Sequence, residues 1–289
     1  AGNFDTDTMV IVREIVSKEL PKKRAIRQNK NTNQLVLSIL TPTEIIDKRK
    51  QIREPIRLYA GARKILYDGC YNLTRERQRD AVRFMDLWSE HWGKEKTPEL
   101  RLHIKNQMKE WGLSEKSYGS FRTRLKQIAA VLTSIKEETA GGYRVLFTDV
   151  DIEQNTGYFF IRANESLCKD LEASSSVLMI APEYWLIDAH YHPYAPAILR
   201  KLTLQAQIYK KSNRRNVMLW RTLIKALPHL PQESQFKDTD RHTNRRIFTP
   251  LMKEMDYLKE TKLVDWHHIG TPPENIDDLL KGKFEWEIP

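Results

Sequence analysis

The chain has 289 residues, 40% of them hydrophobic, which is enough to bury real cores and points to two domains of ordinary size rather than a disordered tail. Lys and Arg number 48 against 38 Asp and Glu, and the formal net charge of +10 favours an anionic partner. Cys70 and Cys168 stand far apart without metal-ligand spacing, no apolar run approaches the roughly 18 residues of a membrane span, and AGNFDTDTMV lacks signal-peptide character. We therefore expect a cytoplasmic protein without cofactor, disulfide framework or membrane contact.

Residues 1–72 read as an N-terminal extension. MVIVREIV and QLVLSIL are short β-branched runs of strand character, and the cationic KELPKKRAIRQNKNTNQ between them reads as an exposed basic arm or loop.

A first domain is expected over residues 73–173. From Thr74 the pattern is helical, with Ala81, Met85, Trp88 and Trp92 on one face. Thr97-Pro98 reads as the start of a second helix that buries Leu100, Ile104, Met108 and Trp111. Gly112 is suited to the left-handed residue that ends a helix, Leu113 to turning inward, and Ser114 to capping the next start, which makes a helix-turn-helix joint. The third helix carries Tyr118, Phe121, Leu125, Ile128, Leu132 and Ile135 on its core face and Ser120, Arg122, Thr123, Arg124 and Lys126 on the other. Gly141-Gly142 ends the helices, and YRVLFTDVDI and GYFFIRA read as two strands joined by a turn at Asn155–Gly157. Three helices and a hairpin make a winged helix.

The same order is expected again over residues 174–289, beyond the small polar run from Ala173 to Ser176. Tyr194–Lys211 is a helix with Ile198, Leu202 and Tyr209 toward the core, and Asn216 is placed to cap a second, VMLWRTLIKAL, which ends at Pro228 and Pro231. Asp238 or Thr239 is placed to cap a third, which contains DRHTNRRIFTPLMKEM over residues 240–255. Pro250 lacks an N–H and presses on the carbonyl of Arg246, so this helix should bend or loosen there, or begin anew with the proline in its first turn. LVDWHHI and FEWEIP read as the final hairpin. The expected fold class is mainly α with small β-hairpins (α+β), built as two tandem winged helices.

In a helix-turn-helix the second helix of the joint lies in the major groove, its early residues on base edges. The candidate DNA-binding residues are therefore Ser120, Arg122, Thr123, Arg124 and Lys126 in the first domain. In the second they are Arg241, His242, Asn244, Arg245 and Arg246, with Lys281 and Lys283 holding phosphates near the last hairpin. Arginine bonds guanine O6 and N7 in pairs and asparagine does so for adenine, so Asn244 and one or two arginines are assigned to bases.

RRIFTPLMKEMDYLKETKLVDW resembles the last winged-helix domain of iteron-type plasmid replication initiators, through Arg245, Arg246, Ile247, Phe248, Pro250, Lys253, Glu254 and Met255. The resemblance implies a protein that binds repeated or palindromic elements of double-stranded DNA and recruits host replication proteins. It also implies repression of its own promoter as a dimer, in a monomer–dimer equilibrium. Residues 1–72 have no placed counterpart in that pattern, and HYHPYAPAILRKL is not its usual entry to the last domain.

A transcriptional regulator of a mobile element, using the same domains, is the alternative. A rival of another class rests on His190-Tyr191-His192, which has the His-hydrophobic-His form of metal-dependent rolling-circle nucleases, with Tyr191, Tyr194 or Tyr209 as nucleophile. Two prolines within four residues oppose the central strand such a metal site needs, so a loop leading into a helix is preferred and no enzyme is expected. His267-His268 should face opposite sides of a strand, and Asp149 and Asp151 one solvated face. No phosphate-binding GxxxxGK[ST] run is present.

Overall fold

In the computed structural model, residues 24–28, 36, 56–60, 63–67, 75–153, 156–173, 177–188, 191–227 and 247–289 are described. They divide into two compact units, a first within Ile26–Ile39 and Ile45–Val177 and a second within Leu178–Pro289, to which Arg24 and Ala25 also belong.

The first unit is organised by the helix α1 (Arg75–Glu95), whose three-and-four spacing buries Ala81, Met85, Trp88 and Trp92. It ends at Lys96, left-handed at φ 58°, whose N–H donates to Trp92 O at 3.0 Å. The N-terminal strand β1 (Arg24–Arg27) lies against this helix: Ser89 Oγ donates to Arg27 O, and a Cβ on Gly93 would stand 2.9 Å from Arg27 Cγ. Ile26 and Gln28 are buried, so this part of the basic stretch is not the exposed loop expected of it. Val36, expected in a strand, is buried and helical.

The second helix does not begin at Pro98. Residues Glu99–His103 form the strand β4, and the helix α2 covers only Ile104–Glu110. The reason is non-local. The Pro98 carbonyl accepts from Trp88 Nε1 at 2.9 Å and from Ala163 N at 3.0 Å, and β4 then pairs residue by residue with β8 (Tyr158–Ala163). Chain-distant backbone donors satisfy the groups a helical turn would otherwise use.

Gly112, at φ 65°, then closes α2: its N–H bonds Lys109 O at 3.0 Å and the Leu113 N–H bonds Met108 O at 2.9 Å, a Schellman turn. Ser114 precedes a 3₁₀ turn (Glu115–Ser117) without a side-chain cap bond, and α3 (Tyr118–Ser134) follows. Phe121, Leu125, Ile128 and Leu132 are buried as their spacing requires. Trp111 is only half-buried.

The predicted single strand YRVLFTDVDI is two. Ile135 starts β5 (Ile135–Thr139), which turns through Ala140-Gly141 into β6 (Gly142–Val145), and β7 (Phe147–Ile152) follows. The pair β5–β6 joins β2 (Ile56–Ala60) and β3 (Arg63–Tyr67) in a four-stranded sheet of order β2-β3-β5-β6. Residues 56–60 and 63–67 are thus built into the first unit. β7 pairs with β8, giving a second sheet of order β4-β8-β7. Phe84 packs on Phe159 (ring centroids 5.0 Å) and Trp88 on Phe147 (5.6 Å), which closes the core between the helices and this sheet. A short helix α4 (Glu165–Glu172) ends the unit, capped where Asn164 Oδ1 accepts from Ser166 N.

In the second unit β9 (Val177–Ile180) and a 3₁₀ turn (Pro182–Leu186) lead to α5 (Ala195–Lys211). Asn216 does not cap a helix: Val217–Leu219 is the strand β10, and α6 covers Trp220–Ala226. The Asn216 carbonyl instead accepts from Trp286 N at 3.1 Å, in line with the pairing of β10 and β12 (Lys283–Glu287). After residues outside the description, α7 (Thr249–Glu260) leads to β11 (Asp265–Ile269), which pairs with β12, and α8 (Ile276–Lys281) stands between the two strands. The sheet order is β10-β12-β11. Trp220, Trp266, Phe284 and Trp286 form the core, and Trp286 Nε1 donates to Leu202 O at 3.3 Å.

Among the described residues both units share a helix, a strand, two further helices and two strands in that order, with β5 and β6 added after α3 in the first and α8 added between the last two strands in the second. The sheets β4-β8-β7 and β10-β12-β11 both place the last strand in the middle. The fold is α+β with small antiparallel sheets.

Candidate nucleic-acid interface

In the first unit α2, the joint and α3 carry Lys105, Lys109, Lys116, Arg122, Arg124 and Lys126 against the carboxylates of Glu110 and Glu115. The two faces of the unit treat their charges differently. Three strand arginines are neutralised: Arg101 bonds both carboxylate oxygens of Glu153 (2.5 and 2.6 Å), Arg162 bonds Glu99, and Arg144 bonds Glu137 at 2.9 Å. Hydrogen bonding to these partners raises Arg101 and Arg162 and lowers Glu153, with the partner charge acting the same way. On the helical joint, Lys105, Lys109, Lys116, Arg122 and Lys126 enter no ion pair among the described residues. A free cation on a rigid helix attracts phosphate; one paired at short range contributes little net field.

Of the residues expected on α3, Ser120, Thr123 and Lys126 are exposed and Arg122 is half-exposed. Ser120 Oγ donates to Ser117 O at 2.8 Å and Thr123 Oγ1 to Gly119 O at 3.2 Å, which leaves both oxygens as outward acceptors. Arg124 is different. Its Nε and NH2 bond the two oxygens of Asp80, each at 2.5 Å, and Asp80 is buried on α1. Its guanidinium also lies 5.3 Å from the Trp111 ring, which carries Arg83 at 4.0 Å. Arg124 thus braces α3 against α1, with two of its donors committed inside the protein. Sequence pattern placed it on the outer face with its neighbours, and could not reveal an acceptor 44 residues away that turns it toward α1.

Arg241, His242, Asn244, Arg245 and Arg246 lie outside the described residues, as do Asp238 and Thr239. The part of that stretch which is described supports its buried half: Leu251, Met255 and Leu258 are buried, and Met252 is half-buried. Pro250 stands in the first turn of α7, directly after a π-helical turn at Ile247-Phe248. Lys281 and Lys283 are exposed on either side of Gly282, at the end of α8 and the start of β12. Gly282 is a close approach: an added Cβ would stand 3.2 Å from Asp278 O and 3.4 Å from Trp220.

His190 lies outside the described residues. His192 precedes α5 in a loop, stacked on Tyr257 (ring centroids 3.4 Å) with Nδ1 3.4 Å from Glu254 Oε2. That places it in packing between the loop and α7. No group of three His, Cys, Asp or Glu among the described residues is arranged to hold a metal ion. His267 and His268 face opposite ways: His267 Nε2 lies 3.6 Å from Glu285, while His268 packs on Trp220 and Trp266, and burial lowers its pKa. Asp149 and Asp151 are exposed on one strand face. No helix among the described residues is long and apolar enough to cross a membrane.

Sequence reasoning missed Lys105, Lys109 and Lys116, and Lys225 on α6. Lys105 and Lys109 were assigned to a longer helix with an apolar stripe, and the signal that could have found them is the four-residue interval on the same face.

No protein-family model and no curated protein matches the sequence. Among solved structures, the chain is similar to the crystal structure of Pi initiator protein in complex with iteron DNA, with a TM-score of 0.51 and 10% identity. The likeness covers 93% of this chain and 98% of that one, so it extends over both units. It is a likeness of fold.

Proposed function

We propose that the protein is a sequence-specific double-stranded DNA-binding protein and acts as a plasmid replication initiator at repeated origin sites. On this reading each unit is a winged helix: α2 and α3 form the helix-turn-helix of the first, with β7–β8 as its wing, and α6 and α7 with β11–β12 have those places in the second. The observation that carries the reading is the joint of the first unit, where Lys105, Lys109, Lys116, Arg122 and Lys126 enter no ion pair among the described residues while Arg101, Arg144 and Arg162 on the strands are paired. Likeness of fold to an initiator bound to iteron DNA supports the same ligand class. An α-helix fits the major groove, and cations around its start hold the flanking phosphates.

Arg122 and Lys126 contact DNA through α3, with Ser120 and Thr123 as short-range acceptors. Arg241, His242, Asn244, Arg245 and Arg246 supply the second reading surface, and Lys281 and Lys283 hold phosphate beside it. Host replication proteins bind the DNA-loaded form.

Selection of binders from random duplexes tests this. The expected result is a preferred motif that recurs as direct repeats beside the gene. Recovery of no motif, or of metal-dependent nicking of single strands, overturns it. A single inverted repeat over a promoter would instead assign the protein to transcriptional regulation.

A further inference from the structure

The positive charge of this protein is concentrated. Between Asp188 and Glu233, residues 189–232 contain eight Lys and Arg and no carboxylate, leaving 40 cations against 38 carboxylates in the rest of the chain. Most of the net charge of +10 thus belongs to one segment of the second unit. Four of its cations are occupied by the fold: Arg200 is buried, Lys201 and Arg221 are half-buried, and Arg215 bonds Glu285 at 3.0 and 2.7 Å. Lys225 is exposed on α6. The other three, Lys210, Lys211 and Arg214, are exposed on one turn.

That turn is rigidly built. Asn213 is left-handed at φ 51°, its N–H bonds Lys210 O at 3.3 Å, and the Arg214 N–H bonds Tyr209 O at 2.9 Å, the Schellman closure of α5. Ser212 Oγ adds bonds to Ile208 O and Tyr209 O, each at 3.2 Å. The three cations therefore project from a closed helix end rather than from an open loop. Lysines in a last helical turn also favour the helix dipole, which accounts for Lys210 and Lys211. It does not account for Arg214, which lies beyond the helix, nor for a segment free of carboxylates. Lys210, Lys211 and Arg214 enter no ion pair among the described residues.

We propose that Lys210, Lys211 and Arg214 form a second DNA contact that holds the phosphate backbone of duplex flanking the sequence read by the third helices. This rests on the DNA-binding reading above and adds to it a surface outside the helix-turn-helix joints. Backbone rather than base recognition follows from the side chains present. Tyr209, the aromatic residue beside the patch, is half-buried with its ring 6.0 Å from Trp286, so the fully exposed side chains of the turn are cations rather than stacking rings. Each of the three cations that neutralises a phosphate releases counterions and adds affinity without reading sequence.

The test compares the parent with K210Q/K211Q/R214Q on two duplexes, one ending at the selected site and one extended by about ten base pairs on each side. The parent is expected to bind the extended duplex about tenfold or more tighter, and the triple variant to lose that gain. Its salt slope on the extended duplex is expected to fall by about 2 to 3, at roughly 0.9 per phosphate contact. Base preference and thermal stability remain those of the parent, and K210R/K211R/R214K restores the gain.

A parent that binds its preferred site but gains nothing from the flanks overturns the patch alone, as does a triple variant that keeps the full gain. A parent without any preferred duplex overturns the DNA reading as a whole. If the triple variant keeps the flank gain and instead loses affinity for single-stranded RNA or for an acidic protein, the patch serves that partner and the proposal fails.

Discussion

At the scale of single residues, two arginines two positions apart on α3 separate into different roles. Arg122 enters no ion pair among the described residues, whereas Arg124 is held by the buried carboxylate of Asp80. Arg122→Ala should weaken binding to the preferred duplex by about 1 to 3 kcal/mol and relax one position, with folding unaffected. Arg124→Ala should instead destabilise the fold by about 3 kcal/mol, because it strands a buried charge. Chemical denaturation alongside titration of labelled duplex separates the two outcomes. His268 offers a pH signature: burial against Trp220 lowers its pKa below the ordinary value of about 6.5. The unfolded chain then takes up the proton first, so the stability this site contributes is complete above about pH 6.5 and is lost as pH falls through the folded value. Melting curves of His268→Phe should show a smaller acid-side loss than those of the parent; identical pH profiles would remove His268 as the cause. Which arginine is paired was not legible in the sequence, because periodicity reports the face of a helix and not the partner that meets it.

At the scale of elements, the corner between α2 and α3 was legible residue by residue. Gly112 is left-handed and makes the Schellman bonds expected of it. A Cβ there meets nothing within 4 Å, so Gly112→Ala should cost only the conformational penalty, about 1 kcal/mol, visible as a lowered melting temperature. Pro250 carries the contrasting prediction. In a helix interior proline costs about 3 kcal/mol, but in the first turn of α7 its missing N–H breaks no helical bond. Pro250→Ala should therefore change stability by less than about 1 kcal/mol; a gain near 3 would mean that the proline interrupts a continuous helix. The strands β4 and β10 were the elements misread. Leu100, Ile104 and Met108 carry helical spacing, yet Glu99–His103 is extended because β8 supplies its hydrogen bonds from about sixty residues away. In the second unit the same misreading has the same cause, with β12 as the partner of β10. The five residues of β5 continue directly from α3 and find their partners in β3 and β6, which helix spacing through Ile135 could not reveal.

At the scale of the whole molecule, the three-stranded sheets of the two units have the same strand order, and the likeness to an initiator structure spans both units. The charge is laid over them unevenly. If the five cations of the first joint that enter no ion pair among the described residues all meet phosphate, they alone predict a slope of about −4 to −5 in log affinity against log salt. Binding isotherms from low to moderate salt measure it, and a slope near zero would exclude the joint as a DNA surface. By itself the sequence determined the buried faces of α1, α3 and α7, the left-handed corner at Gly112 and the net excess of cations, since each depends on residues within a few positions of one another. Only the tertiary structure decided that two expected helices begin as strands, that residues 56–60 and 63–67 complete a sheet of the first unit, and that Arg124 is spent on Asp80 while Arg122 and Lys126 enter no ion pair among the described residues. Those outcomes depend on hydrogen-bond and charge partners brought together across tens of residues, and local preference carries no information about who those partners are.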